Sequence, residues 1–132
     1  MGMKQQIIIK DYFNDGKDLT LDITASIISE KMVGSTKINR LKVFRKSDKH
    51  SMRLGMFASI RNTQPGYQSL GFSEVTLIYE KNDNGKFVSR SFIDFTGVAV
   101  ESLIPRDDEE EITFIAAEKS MEFSISNVVV MP

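Results

Sequence analysis

Cysteine is absent from these 132 residues, which removes a disulfide framework, a thiolate metal site and a cysteine nucleophile in one step. Histidine is nearly absent too. His50 stands alone in the charged stretch Lys46-Ser47-Asp48-Lys49-His50, and histidine-driven catalysis needs a partner to orient the ring. A solvated side chain ahead of a helix is the simpler account of it, and one histidine without cysteine makes a tetrahedral zinc site improbable. Glycines are scattered singly, so no phosphate cradle of the P-loop or dinucleotide type occurs. The Asp83-Asn84-Gly85 cluster lacks the alternating ligands and the acidic twelfth position of a calcium loop, and reads as a hairpin turn. No pair of carboxylates is singled out for glycoside hydrolysis. The sequence therefore points away from enzymes and implies no cofactor and no metal.

Long apolar runs are missing as well. Runs such as residues 7–9 and 128–131 fall far short of the roughly 20 residues that cross a bilayer. Met1-Gly2-Met3-Lys4-Gln5-Gln6 has no signal-peptide core, and Gln6 stands where a myristoylation motif needs Ser or Thr. Met1-Gly2 reads as a cloning remnant ahead of a native Met3. The expectation is a chain made in the cytoplasm, without a membrane anchor. Net charge is also lacking: −1 overall, with a pI near 5.8, gives no general pull toward nucleic acid or an acidic surface. At 14.9 kDa, 41% hydrophobic and 27% charged, the chain fits a single folded domain over residues 1–132.

What is present is period-two alternation. Residues 19–27 are apolar at every odd position, the pattern of a half-buried strand. Similar alternation marks residues 7–13, 37–44, 75–79, 92–100, 112–116 and 121–125. So many strand signals in a short chain predict an antiparallel β-barrel, or two packed sheets, of about seven strands. Asn14-Asp15-Gly16 and Asn82-Asp83-Asn84-Gly85 supply hairpin turns. Between residues 92 and 104 the apolar phase slips across Gly97, which predicts a β-bulge in one long bent strand. Only residues 51–62 look helical: Met52, Met56 and Ile60 recur every fourth residue, Phe57 widens the stripe, and Ser51 fits an N-cap. The helix is expected to stop before Pro65-Gly66.

Several apolar residues fall out of phase with their strands: Ile8, Ile78, Val88, Ile115 and Val129. A one-sided sheet places polar residues there, so a neighbouring subunit is the natural cover. Charge is uneven along the chain. Lys37, Arg40, Lys42, Arg45, Lys46, Lys49 and Arg53 fall close together with only Asp48 among them, whereas residues 107–111 are all acidic. With Phe44, the basic stretch 37–53 suggests an alternative: a monomeric barrel that binds single-stranded nucleic acid. The favoured use of these patches is contact between subunits, basic against acidic, as suits a head-to-tail ring. The candidate subunit interface comprises Arg40, Lys42, Arg45, Lys46, Asp107, Asp108, Glu109, Ile8, Ile78 and Ile115.

Taken in order, the chain resembles the haemolysin-coregulated protein (Hcp) family, the inner-tube subunits of type VI secretion systems. The resemblance starts with the strand Ile7-Ile8-Ile9-Lys10, the Gly16 turn, a second strand over residues 19–29 and Gly34-Ser35-Thr36-Lys37-Ile38. Its most telling part is Phe44-Arg45-Lys46-Ser47-Asp48-Lys49-His50-Ser51-Met52-Arg53-Leu54, similar to the family's run into its single helix. Residues 74–80, the Asn84-Gly85 turn and residues 91–95 and 98–102 follow its long hairpin and bent strand. Residues 110–114 and 121–125 follow its last two strands. The chain departs from the family in being shorter, in lacking a Gly-rich stretch after Met32 and in its acidic 107–111 loop. Since the family stacks its rings through the loop after the second strand, the resemblance speaks more to ring formation than to stacking.

The resemblance implies a β-barrel with one flanking helix, hexameric rings stacked into a tube, and effectors carried in the lumen. It also implies sheath and spike partners and export by a dedicated machine without a signal peptide. A phage-type tail tube fits the same residues.

Overall fold

The computed structural model describes residues 2–63, 71–84 and 86–126. Val129, Pro65-Gly66 and Gly85, each given a role above, lie outside them. Among the described residues, eight strands and one helix follow in the order β1 (Gly2–Ile9), β2 (Leu19–Ile23), β3 (Ala25–Val33), β4 (Thr36–Lys46), α1 (Ser51–Thr63), β5 (Phe72–Asp83), β6 (Lys86–Arg106), β7 (Glu109–Lys119) and β8 (Phe123–Ser126). All are joined in one antiparallel sheet of order β2-β1-β5-β6-β7-β4-β3, with β8 paired to β6 off that path.

Of the two architectures expected, the pairing fits packed sheets: the path is not closed into a barrel, and its ends are β2 and β3. These ends are consecutive in the chain. The alternation over residues 19–27 predicts one strand, but Thr24 breaks it in two. Its amide donates to Phe44 O at 2.7 Å and its hydroxyl to the same oxygen at 3.0 Å, so β3 stays on β4 while β2 leaves to pair with β1.

Alternation sets the core. In β4, Asn39, Leu41, Val43 and Arg45 are buried while Ile38, Arg40, Lys42 and Phe44 between them are half-buried. Ile7, Ile9, Leu21, Ile23, Val75, Leu77, Phe95, Val100, Ile112 and Phe114 belong to the same apolar interior. Burial of this kind is worth about 1.5–3 kcal/mol for each large side chain. β1 ends sooner than its sequence pattern, at Ile9. Tyr12 beyond it is still buried, because the turn folds its ring back against Phe72, 5.7 Å between centroids.

The long bent strand exists as the 21-residue β6, but the bulge is not where the phase slip places it. The ladder between β6 and β7 gains its extra residue between Val100 and Ser102, at Glu101. Gly97 turns the strand by other means, through a φ of +61°. Glycine adopts this angle freely, while any other residue there costs energy.

The helix matches its expected span but is rotated. Leu54 and Ala58 face the core and Phe57 packs against it, whereas Met52 and Met56 are 78% and 54% exposed. Two residues of offset is about 200° on a helix, so Met52 and Met56 point out, opposite the Leu54 and Ala58 row. Leu54 and Ala58 join the same cluster as Val98 and Val100, and α1 lies against β6.

Candidate assembly interface

The sequence treats the basic and acidic stretches as separate patches. Folding brings them together within one subunit: β4 and β7 are neighbours, and their ladder sets Phe44 opposite Glu111, Arg45 opposite Glu110 and Lys46 opposite Glu109. Alternation then decides which charges go inside. Arg45 follows Leu41 and Val43 on the core side, and Glu110 precedes Ile112 and Phe114 on theirs. Both are buried, at 3% and 1% exposure.

Isolated, either charge would be costly there. The structure pairs them: Arg45 Nη1 donates to Glu110 Oε2 at 2.8 Å, and Arg45 Nη2 donates to Asp48 Oδ2. The second Glu110 oxygen accepts from the Ser51 hydroxyl. Ser51 Oγ also accepts from the Asp48 amide at 3.0 Å, while Asp48 Oδ1 accepts from the His50 amide at 2.8 Å. Ser51 is therefore not the cap that its position suggests; Asp48 satisfies an amide at the helix start and Ser51 ties that start to β7. Burial pushes the Asp48 carboxyl upward, but the His50 amide and the Arg45 guanidinium outweigh it and hold the group below the usual carboxylate range.

His50 itself is buried at 8% exposure with its ring edge-on to Tyr12, 5.4 Å away. The exposed side chain expected from sequence is thus an interior one. Arg53, one turn on, lies about 5 Å from the ring centroids of Tyr12, Phe13 and Phe57 and donates to Tyr12 O at 3.0 Å. Burial raises the Tyr12 phenol above its usual range, partly offset by Arg53 and Arg45. This corner is a structural junction joining helix, turn and sheet.

On the other side of the sheet, Arg40 pairs with Glu101 at 3.1 Å, and Lys42 and Arg106 share Glu111 at 3.0 and 3.1 Å. Lys42, then Arg106, with burial opposing, hold the Glu111 carboxyl below its usual range. Of the charged candidates, Lys46, Asp107, Asp108 and Glu109 stay exposed, with Asp107 at φ +56° in a two-residue hairpin between β6 and β7. Of the apolar candidates, Ile78 is buried at 8% exposure, Ile8 and Ile115 are half-buried, and Val88 is 40% exposed.

Larger exposed apolar groups lie outside the candidate interface. Ile27, Met32 and Val33 project from β3, Met52 and Met56 from α1, and Phe123 and Ile125 from β8. For β3 and β8 the signal was their place at sheet edges, which depends on pairing order.

No protein-family model and no curated protein matches the sequence. Solved structures are similar. A variant of the Hcp1 protein from the EAEC 042 pathovar of E. coli superposes with a TM-score of 0.63 at 10% identity, over 93% of this chain and 98% of that one. The chain has an Hcp-like fold. Hcp2 from Salmonella typhimurium agrees, with a TM-score of 0.53 at 9% identity over 93% of this chain and 94% of that one. The overlap spans nearly all of both chains.

Proposed function

We propose that this Hcp-like chain is a structural tube subunit of a contractile injection apparatus of the type VI secretion kind. It assembles into hexameric rings that stack into a tube and carry effectors. The observation behind this reading is the fold, shared over more than nine-tenths of the Hcp1 and Hcp2 chains. Exposed apolar side chains on β3, α1 and β8 support it, since a lone subunit leaves them in water. Sheath, spike and effector proteins are the partners this role brings.

The alternative of a nucleic-acid module gains nothing from the structure: Arg40, Lys42 and Arg45, the core of the basic stretch, are each paired with a carboxylate of the same subunit. Size-exclusion chromatography with light scattering tests the reading. The expected mass is about six times that of the 14.9 kDa chain, and a monomer at high concentration overturns it.

A further inference from the structure

His50 is buried at 8% exposure, and its ring is fixed by aromatic neighbours, edge-on to Tyr12 and 6.1 Å from the Phe13 centroid. Its backbone amide donates to Asp48 Oδ1 at 2.8 Å, but among the described residues neither ring nitrogen has a hydrogen bond. Buried polar groups in folded proteins are nearly always paired, so an imidazole locked in place without a partner needs a reason. Tyr12 OH and Arg45 Nε nearby are also unpartnered, but they are sealed in the interior. His50 is not: it lines a slot of about 430 Å³ between β2, from Leu19 to Thr24, and the end of β4 with the turn into α1.

The slot lies where the sheet fails to close. Thr24 gives its amide to Phe44 O, and from there β2 leaves β4 to pair with β1. Backbone groups alternate in direction along an antiparallel strand. The Lys10 amide bonds to Glu74 O of β5, so the odd-numbered residues of β1 turn their backbone to β2 and meet Leu19, Leu21 and Ile23. The N–H and C=O groups of Thr20 and Asp22 therefore point away from β1, on the side of the Thr24 amide, where the slot is.

Most charges around the slot are already committed. Arg45 is held by Glu110 and Asp48, and Asp48 also accepts from the His50 amide. Asp22 Oδ1 accepts from Gln6 Nε2 at 2.8 Å. Lys46 is exposed and has no ion pair among the described residues. The groups left over are mainly donors: the Lys46 ammonium, an imidazole N–H and two backbone N–H groups. They suit an anion with two acceptor atoms. Asp22 and Asp48 on the border repel a doubly charged phosphate more than a singly charged carboxylate.

We propose that this slot binds a carboxylate, held between the His50 imidazole and the Lys46 ammonium, with the free edge of β2 receiving any amide attached to it. A small free acid and an acidic residue of another polypeptide both carry this chemistry.

His50 is the chain's one histidine, so its ring gives a single imidazole signal in proton–carbon NMR spectra of the full chain. At constant pH and ionic strength, the protein is titrated with acetate, with a blocked tripeptide that has a central glutamate, and with the glutamine counterpart of that peptide. Acetate and the glutamate peptide are expected to move the signal saturably, and the glutamine peptide to bind at least about fivefold more weakly. Tighter binding of the glutamate peptide than of acetate assigns the site to an acidic residue of a polypeptide; equal binding assigns it to small free acids. Lys46→Gln, at an exposed position, is expected to weaken binding about threefold or more with unchanged far-UV circular dichroism. His50→Gln, followed by calorimetry, is expected to weaken it about tenfold. The proposal is overturned if no titrant moves the signal saturably at millimolar concentration, if chloride moves it as far, if the glutamine peptide binds as tightly as the glutamate one, or if Lys46→Gln binds like the parent.

Discussion

Replacing Arg45 by Met keeps an apolar stem of similar length but strips the buried Glu110 carboxylate of its guanidinium. Glu110 is 1% exposed and would keep only the Ser51 hydroxyl, while Asp48 would lose its cation and relax toward water. Removing one partner of a buried pair costs about 3–5 kcal/mol, more than the pair itself contributes, because the remaining charge is stranded. Against a total stability of about 5–15 kcal/mol that loss is large. With a urea slope of about 2 kcal/mol per molar, the unfolding midpoint falls by about 1.5–2.5 M. Parent and variant are compared by urea titration at the same protein concentration, since assembly stabilises the folded state by mass action. Arg45→Met combined with Glu110→Leu removes both charges and is expected to recover most of the loss. A single-variant shift below about 0.5 M, or a double variant no more stable than the single, refutes the buried-pair account.

Two further perturbations bear on particular elements. The folded Asp48 carboxyl sits below its unfolded value, so its stabilisation is present above that unfolded value and is lost as pH falls through the folded pKa. Asp48→Asn should therefore flatten the acid limb of a stability-against-pH curve; with the side chain 41% exposed, the effect at neutral pH is under about 1 kcal/mol. Gly97→Ala meets both a φ of +61° and the Ala117 Cβ and should cost about 1–2 kcal/mol in thermal or urea unfolding; an unchanged midpoint would show that β6 does not need glycine to turn.

Much of the fold was legible because alternation is a local property. Leu41, Val43, Ile112 and Phe114 announce their face without knowledge of any partner. The same rule, carried two residues further to Arg45 and Glu110, would have found the buried ion pair; charge alone placed Arg45 at the surface. The orientation of the helix is not legible, because Met52, Met56 and Ile60 recur as regularly as Leu54 and Ala58, and the choice between the two rows is made by the contact with β6, which spacing alone does not show. The pairing of the basic and acidic stretches was invisible for a different reason. It depends on β4 lying beside β7, a non-local choice that no spacing in the chain encodes. The Asp107-Asp108 hairpin was hidden by its lack of glycine, although Asp tolerates a positive φ better than most residues.

Negative-stain electron microscopy of the purified protein tests the central claim most directly. The account predicts rings with a central hole and six-fold views, some of them stacked end to end. Particles of single-subunit size at concentrations well above those used for spreading, with no rings, would contradict it.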